Sequence, residues 1–168
     1  MDSIIHGANW YIGELNQRKR LEACALPNLR RARERLTFGG GFFTFDLPTE
    51  IEELSFEFSL YGSHSDVRTR FGREAGDWTT FYYYERLRDI AAGINAGRVV
   101  MLKGLLNEVT HPRVLGKRAD ATRYAGGSVW LYHDIVNGQT VHKFDVENNV
   151  LIIDGVDYTA EANRLIAA

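Results

Sequence analysis

Side chains able to ligate a metal, attack an electrophile or shuttle a proton are few and scattered in this chain. The five histidines, His6, His64, His111, His133 and His142, form no His-Glu-x-x-His pattern, and no Cys-x-x-Cys accompanies them. Neither a structural nor a catalytic zinc centre is therefore expected. His133 and His142 flank a turn signal and can pair across it, although two cross-strand imidazoles are more often surface decoration than ligands. No motif near the single cysteine, Cys24, would lower its pKa. It has no intrachain disulfide partner and reads as a buried, reduced thiol, with pairing between subunits as the alternative. Gly39, Gly40 and Gly41 precede no Gly-Lys-Ser/Thr, and no Gly-x-Gly-x-x-Gly follows a strand, so a phosphate-cradling loop has no support. Tyr82, Tyr83 and Tyr84 resemble a stacking platform for single-stranded nucleic acid. Strand alternation splits them over two faces, which favours a core role. No catalytic, cofactor-binding or metal residue is predicted, and the chain does not read as an enzyme.

The bulk composition narrows the classes further. At 168 residues the chain can bury one good core, so residues 1–168 are expected to form one domain. A net charge of −2 gives no overall basic excess for duplex binding. Sixteen glycines against three prolines suit a β-rich fold with glycine-supported turns. No apolar run approaches the roughly 20 residues of a membrane span. The opening Met-Asp-Ser-Ile-Ile-His lacks the basic start and long apolar stretch of a signal peptide. A soluble protein with no membrane anchor is the expectation.

The elements that would position any site are strands. Two long β-prone runs, Arg98 to Thr110 and Ser128 to Val136, dominate, and Asn137-Gly138 follows the second before Gln139 to Phe144. Asn-Gly tolerates positive φ at both central positions of a type I′ turn, so a tight hairpin is predicted. On the first run Val99, Met101, Leu105 and Val109 fall opposite Val100, Leu102 and Leu106. On the second, Val129, Leu131 and Ile135 fall opposite Trp130, Tyr132 and Val136. Both faces are apolar and need two covers, one of which can come from outside the chain.

Short strands are expected at Ala8–Ile12 and Leu21–Leu26, joined by a turn at Gln17–Arg20, and a further strand from Trp78 to Leu87. Leu54, Phe56, Phe58 and Leu60 make the inward face of a strand spanning Ile51–Leu60. Its outward face carries Glu53, Ser55, Glu57 and Ser59. A helix is predicted from about Ser65 to Glu74, with Val67 and Phe71 as its buried stripe and Ser63 or Ser65 as cap. A small-residue connection spans Asp89–Gly97, and Thr110–Gly127 reads as a polar loop. Val150–Ile153, a turn at Asp154-Gly155 and Val156–Tyr158 follow. Thr159 would cap a closing helix that turns Ala162, Leu165 and Ile166 inward. The sum is a mainly β (α+β) fold: an antiparallel two-sheet sandwich or barrel with one flanking helix and a short C-terminal helix.

Two stretches point outward from that fold. Leu29–Leu36 is either a short basic helix or an extended arm, and as an arm it sets Arg31, Arg33 and Arg35 on one side. From Thr37 to Pro48, phenylalanines 38, 42, 43 and 45 surround three glycines. Such residues mark an interaction site or a contact with a core. Residues 18–35 carry seven basic side chains against two acidic, whereas Asp46, Glu50, Glu52, Glu53 and Glu57 run without a base. Opposite patches can join copies head to tail, and plain solvated faces are the alternative.

Read together, these segments resemble the FII-type major tail tube protein of contractile-tailed bacteriophages and the related tube of R-type pyocins. The resemblance lies in the order of Leu26-Pro-Asn-Leu29 with its basic arm and glycine-rich segment, Leu54–Leu60 before a helix, Leu102-Lys-Gly-Leu-Leu-Asn-Glu-Val109, Asn137-Gly138, and Ile153-Asp-Gly-Val-Asp157. It implies a tail-tube or Hcp-like subunit forming hexameric rings that stack into a hollow tube. The implied partners are further copies, a tail sheath protein, a tape-measure protein, the baseplate hub and a tail terminator. DNA would pass transiently through the lumen, the place would be the virion tail, and assembly would occur in the host bacterial cytoplasm. The resemblance assigns inter-subunit contact to Arg31, Arg33, Arg35, Phe38, Phe42 and Phe43. Since a DNA conduit should repel phosphate, Glu53 and Glu57 are expected to face the lumen. A tube ring of a related secretion or injection system, and a monomeric β-barrel binding module, are the competing readings.

Overall fold

The structure is a computed structural model describing residues 3–168; Met1 and Asp2, the start of the stretch read above for a signal peptide, lie outside the described residues. In chain order the strands are β1 (Ser3–Ile12), β2 (Leu15–Asn16), β3 (Leu21–Ala25), β4 (Arg31–Thr37), β5 (Thr44–Ile51) and β6 (Phe56–Leu60). Helix α1 (Ser65–Arg68) precedes β7 (Thr79–Asp89), β8 (Asn95–Thr110), β9 (Val114–Leu115), β10 (Arg118–Ala119) and β11 (Thr122–Val136). The chain ends with β12 (Gln139–Asp145), β13 (Val150–Ile153), β14 (Val156–Asp157) and α2 (Ala160–Leu165). The predicted type I′ turn is present: Asn137 and Gly138 have φ of 49° and 78°. Asp154 and Gly155 repeat it at 50° and 78°.

Among the described residues all sheet pairings are antiparallel except for one isolated bridge. Ten strands form one sheet in the order β14-β13-β12-β11-β8-β7-β1-β2, with β6 and then β3 branching from β11. The branch arises because β11 is long. Its Thr122–Gly126 half pairs with β6, and its Leu131–Val136 half pairs with β12. The two expected layers are thus arms of one hydrogen-bonded surface. In a flat sheet β6 and β1 would lie four strand spacings apart, roughly 19 Å. Yet the Trp10 ring lies 5.3 Å from Phe58 and 5.9 Å from Phe56, so the sheet curls until its ends meet over the core. Trp10, Ile12, Phe58, Leu60, Phe81, Val100, Leu102 and Tyr132 are essentially sealed inside. Leu54, Phe56, Phe58 and Leu60 are all buried, as their alternation required.

The curl needs close backbone approach at two glycines. A Cβ on Gly126 would stand 2.2 Å from Phe56 Cζ and 2.8 Å from the Leu105 carbonyl oxygen, and one on Gly104 would stand 2.7 Å from the Gly127 carbonyl oxygen. The β11–β8 register slips on either side of Gly126-Gly127, the bulge that bends both strands.

Several local expectations change. Ile51–Leu60 is not one strand: Ile51 closes β5, and β6 begins only at Phe56. The polar loop expected over Thr110–Gly127 contains the small β9–β10 hairpin and the first six residues of β11. Helix α1 is one turn, capped at His64 without a side-chain bond, because Gly72 at φ 83° turns the chain away. Val67 is buried, but Phe71 is half exposed and bridges to Leu106. His133 lies opposite Lys143 and His142 opposite Asp134, so the two imidazoles do not pair. His133 Nε2 instead lies 3.0 Å from the Thr140 hydroxyl. Only Tyr83 of the tyrosine trio enters the core; Tyr82 is half-buried and Tyr84 exposed. Cys24 is half-buried, and burial, followed by the charge of Glu85, pushes its thiol up.

Candidate assembly surfaces

The arginine arm is extended, which resolves the alternative left open between helix and arm. Strands β4 and β5 form a hairpin that is its own two-stranded sheet, separate from the ten-stranded one. Leu36 pairs with Phe45 and Glu34 with Leu47, so these side chains share one face. Arg33 lies opposite Pro48 and Arg35 opposite Asp46 on the other face. The register slips between Arg31 and Arg33, and the Arg31 guanidinium donates to the Thr49 carbonyl at 2.9 and 3.2 Å. Arg33 meets Asp46 at 3.2 Å with both side chains mostly in water, a pair worth little alone. The tip holds Phe38, Phe42 and Phe43 at 63%, 97% and 85% exposure.

The structure therefore brings Arg31, Arg33, Arg35, Phe38, Phe42 and Phe43 onto one projecting element. Sequence reasoning named Phe45 among the rings around the glycines but missed that Leu36 and Leu47 join it on one apolar face. The signal was the alternation of Phe45 and Leu47 with Thr44 and Asp46, obscured by Pro48, which is tolerated because β5 is an edge strand. A lone two-stranded hairpin is marginal in water, so these rings require a cover.

Glu53 and Glu57, expected on one strand face, belong to different segments. Glu57 stands on β6 in a row with Ala125 and Glu108, and its carboxylate accepts from Arg123 at 2.9 Å. Glu53 lies before β6 on the wall of an open groove of about 940 Å³, shared with Glu108, Asn107 and the stacked rings of Trp78 and Trp130. Both residues are exposed, and on β6 Glu57 alternates with the buried Phe56 and Phe58.

At the other end of β11 two buried carboxylates, Glu85 and Asp134, meet the half-buried Arg98. Arg98 donates to Asp134 through Nε at 2.9 Å and Nη2 at 2.7 Å, and its Nη1 lies 3.6 Å from Glu85. The Glu85 and Asp134 side chains are 3% and 6% exposed, so nearly all of their counter-charge comes from Arg98. Tyr83 donates its hydroxyl to Glu85. Burial, then that bond to a carboxylate, raises the Tyr83 phenol, and burial with Asp134 nearby pushes Tyr132 up to about 12.

At the C-terminus the cap differs from the expected one. Asp157 Oδ1 accepts from the Thr159 amide and hydroxyl, both at 2.8 Å, and from the Ala160 amide at 3.2 Å. Thr159 in turn accepts from the Leu151 amide at 3.0 Å. Ala162, Leu165 and Ile166 do not turn inward: all are exposed, and α2 is held through Asn163 and Asn149. The bonds from Thr159 hold the Asp157 carboxyl below its usual range. A depressed folded value gives stability that is present above the ordinary carboxylate pKa of about 3.9 and lost as pH falls through the folded value. Relative to their intrinsic rates at each pH, the Thr159 and Ala160 amides should therefore exchange faster on acidification below about pH 4. Asp157→Ala should show that faster exchange already at neutral pH.

Among the described residues no group of three His, Cys, Asp or Glu side chains could hold a metal ion. Among those residues, too, no helix is long and apolar enough to cross a membrane.

Comparison with known proteins gives one family: the model for phage tail tube protein FII matches residues 2–166. Among solved structures the chain is similar to the sheath/tube terminator of an extracellular contractile injection system, PVC, in its extended state. That match has 7% identity and a TM-score of 0.56, covering 78% of this chain and 93% of that one. It is also similar to the PVC sheath-tube complex in the extended state, at 8% identity and a TM-score of 0.53, covering 77% and 86%. The anti-feeding prophage tube-terminating cap matches at 9% identity and a TM-score of 0.51, covering 72% and 83%. No curated protein sequence matches. At these identities the likeness is one of fold.

Proposed function

The chain belongs to the phage tail tube protein FII family and is a structural subunit of a tail tube, and on that premise we propose that its copies form hexameric rings stacked into the inner tube of a contractile tail. The observation that carries this reading is the β4–β5 hairpin, which presents three exposed phenylalanine rings, two of them nearly bare, to solvent on a single protomer. Residues 1–168 act as one tube domain. Arg31, Arg33, Arg35, Phe38, Phe42 and Phe43 make contacts between subunits, and the role is mechanical, with no catalysis.

The tube polymerises around a tape-measure protein in the host bacterial cytoplasm, between a baseplate hub and a terminator. A surrounding sheath drives it into the host envelope. DNA then passes through a lumen lined by Glu53 and Glu57, where Arg123 offsets part of the charge of Glu57. Carboxylates repel the phosphate backbone and keep transit from stalling. A map of the assembled tube with both carboxylates on its outer wall would overturn the lumen assignment.

Negative-stain microscopy at high protein concentration tests the main reading. The wild-type chain should form rings or tubes, and Phe42→Ser/Phe43→Ser should remain protomeric with an unchanged melting midpoint, since neither ring contacts the core. Rings that form equally from the variant would remove the hairpin from the assembly. A tube of an injection system is the second reading, because the fold is shared with PVC tube components. Capsid and terminase genes beside this one would separate the two.

A further inference from the structure

We infer, on the premise that the β4–β5 hairpin is a subunit contact, that its phenylalanine tip seats in an apolar groove on a second copy of this chain. The groove, about 470 Å³, is lined by Leu29, Ile51, Phe144, Val150, Leu151 and Ile153. It arises from the sheet itself. Phe144 and Leu151 continue the cross-strand row Phe81–Leu102–Tyr132, and Ile153 continues the row Tyr83–Val100–Asp134 through His142. Those rows are buried where β6 covers them and only half-buried out on β12 and β13.

The groove and the tip have complementary needs. Phe38, Phe42, Phe43 and Phe45 are 51% to 97% exposed, and at about 150–250 Å² per ring they present roughly 450–750 Å² of apolar surface. That is most of the roughly 800 Å² each partner contributes to a standard interface. Glu34 is the one charge on the hairpin's apolar face, and the groove is rimmed by the cations Arg30 and Arg31 against the single anion Glu50.

The geometry excludes the chain's own tip. The groove is walled by residues 29–31 and 49–51, the base of the same hairpin. Seven extended residues put the tip about 20–23 Å away at the usual strand rise. Tip and groove thus lie at opposite ends of one element, and joining them is a heterologous contact that repeats from copy to copy into rings or a helix.

Benzoylphenylalanine in place of Phe43 keeps an aromatic ring at the tip and tests the assignment. Full-length labelled chain, mixed with an equal amount of ¹⁵N chain and assembled, is irradiated, and the cross-linked peptides are mapped by mass spectrometry. About half of the cross-links should join a light to a heavy copy, the share set by random mixing, and they should fall on Phe144 or the Val150–Ile153 segment. Cross-links between copies that fall elsewhere overturn the groove and leave the hairpin as a subunit contact. Absence of any cross-link between copies overturns both.

Discussion

Gly126→Ala is expected to destabilise the protomer by about 3 kcal/mol, at the upper end of the range for overpacked cores, and to lower its melting midpoint by roughly 6–12 °C for a domain of this size. The added methyl group would meet Phe56 at 2.2 and 2.6 Å and the Leu105 carbonyl oxygen at 2.8 Å. Phe56 cannot swing aside, because its ring lies 4.6 Å from Phe81 and 5.9 Å from Trp10. The backbone cannot retreat either, since β11 is bonded there to β6 on one side and β8 on the other. Thermal melts at concentrations where the chain is protomeric check the value. Phe56→Leu leaves its own cavity, yet the double variant should lose less than the sum of the two single losses. Only part is recovered, because the clash with the Leu105 carbonyl remains. A midpoint for Gly126→Ala within a degree of wild type would contradict the close approach of β6 to β11.

Arg98→Met is the second large effect, an expected loss of about 3–5 kcal/mol. The substitution keeps an apolar stem and removes the guanidinium that holds Asp134 at two points and lies beside Glu85. Two nearly buried carboxylates would then share one neighbourhood with no counter-charge, and burying an unpaired charge is far costlier than exposing one. Neutralising the partners tests the cause. In the triple variant Arg98→Met/Glu85→Gln/Asp134→Asn the stranded charges are gone, and most of the loss should be regained. Urea denaturation midpoints report both. A loss as large in the triple as in the single variant would mean that Arg98 acts through packing and not through charge.

How much of this could be read from residue order depends on the range over which each feature is decided. Asn137-Gly138 and Asp154-Gly155 specify their turns within two residues, because few side chains accept positive φ twice in succession. The buried set Leu54, Phe56, Phe58 and Leu60 follows from alternation alone. Val67 and Phe71 fit a helical stripe over Ser65–Glu74, but packing buries only Val67, while Phe71 stays half exposed and the chain turns at Gly72 with φ of 83°. The residues proposed to make subunit contacts were legible as types, basic and aromatic around glycine, but the hairpin that gathers them depended on the pairing of β4 with β5 across Pro48.

Residue order by itself determined the strand-rich class, the two tight turns, the inward face around β6, and the family to which the chain belongs. Those are local or cumulative properties, fixed by backbone preference and by side-chain alternation along single strands. Only the tertiary structure decided that Glu85, Arg98 and Asp134 meet, that Glu53 and Glu57 part, and that the sheet curls at Gly126 until β6 lies over β1. Each of these depends on register between strands far apart in sequence. A slip of one residue there turns every side chain to the other face, and nothing in the local sequence says where such a slip occurs.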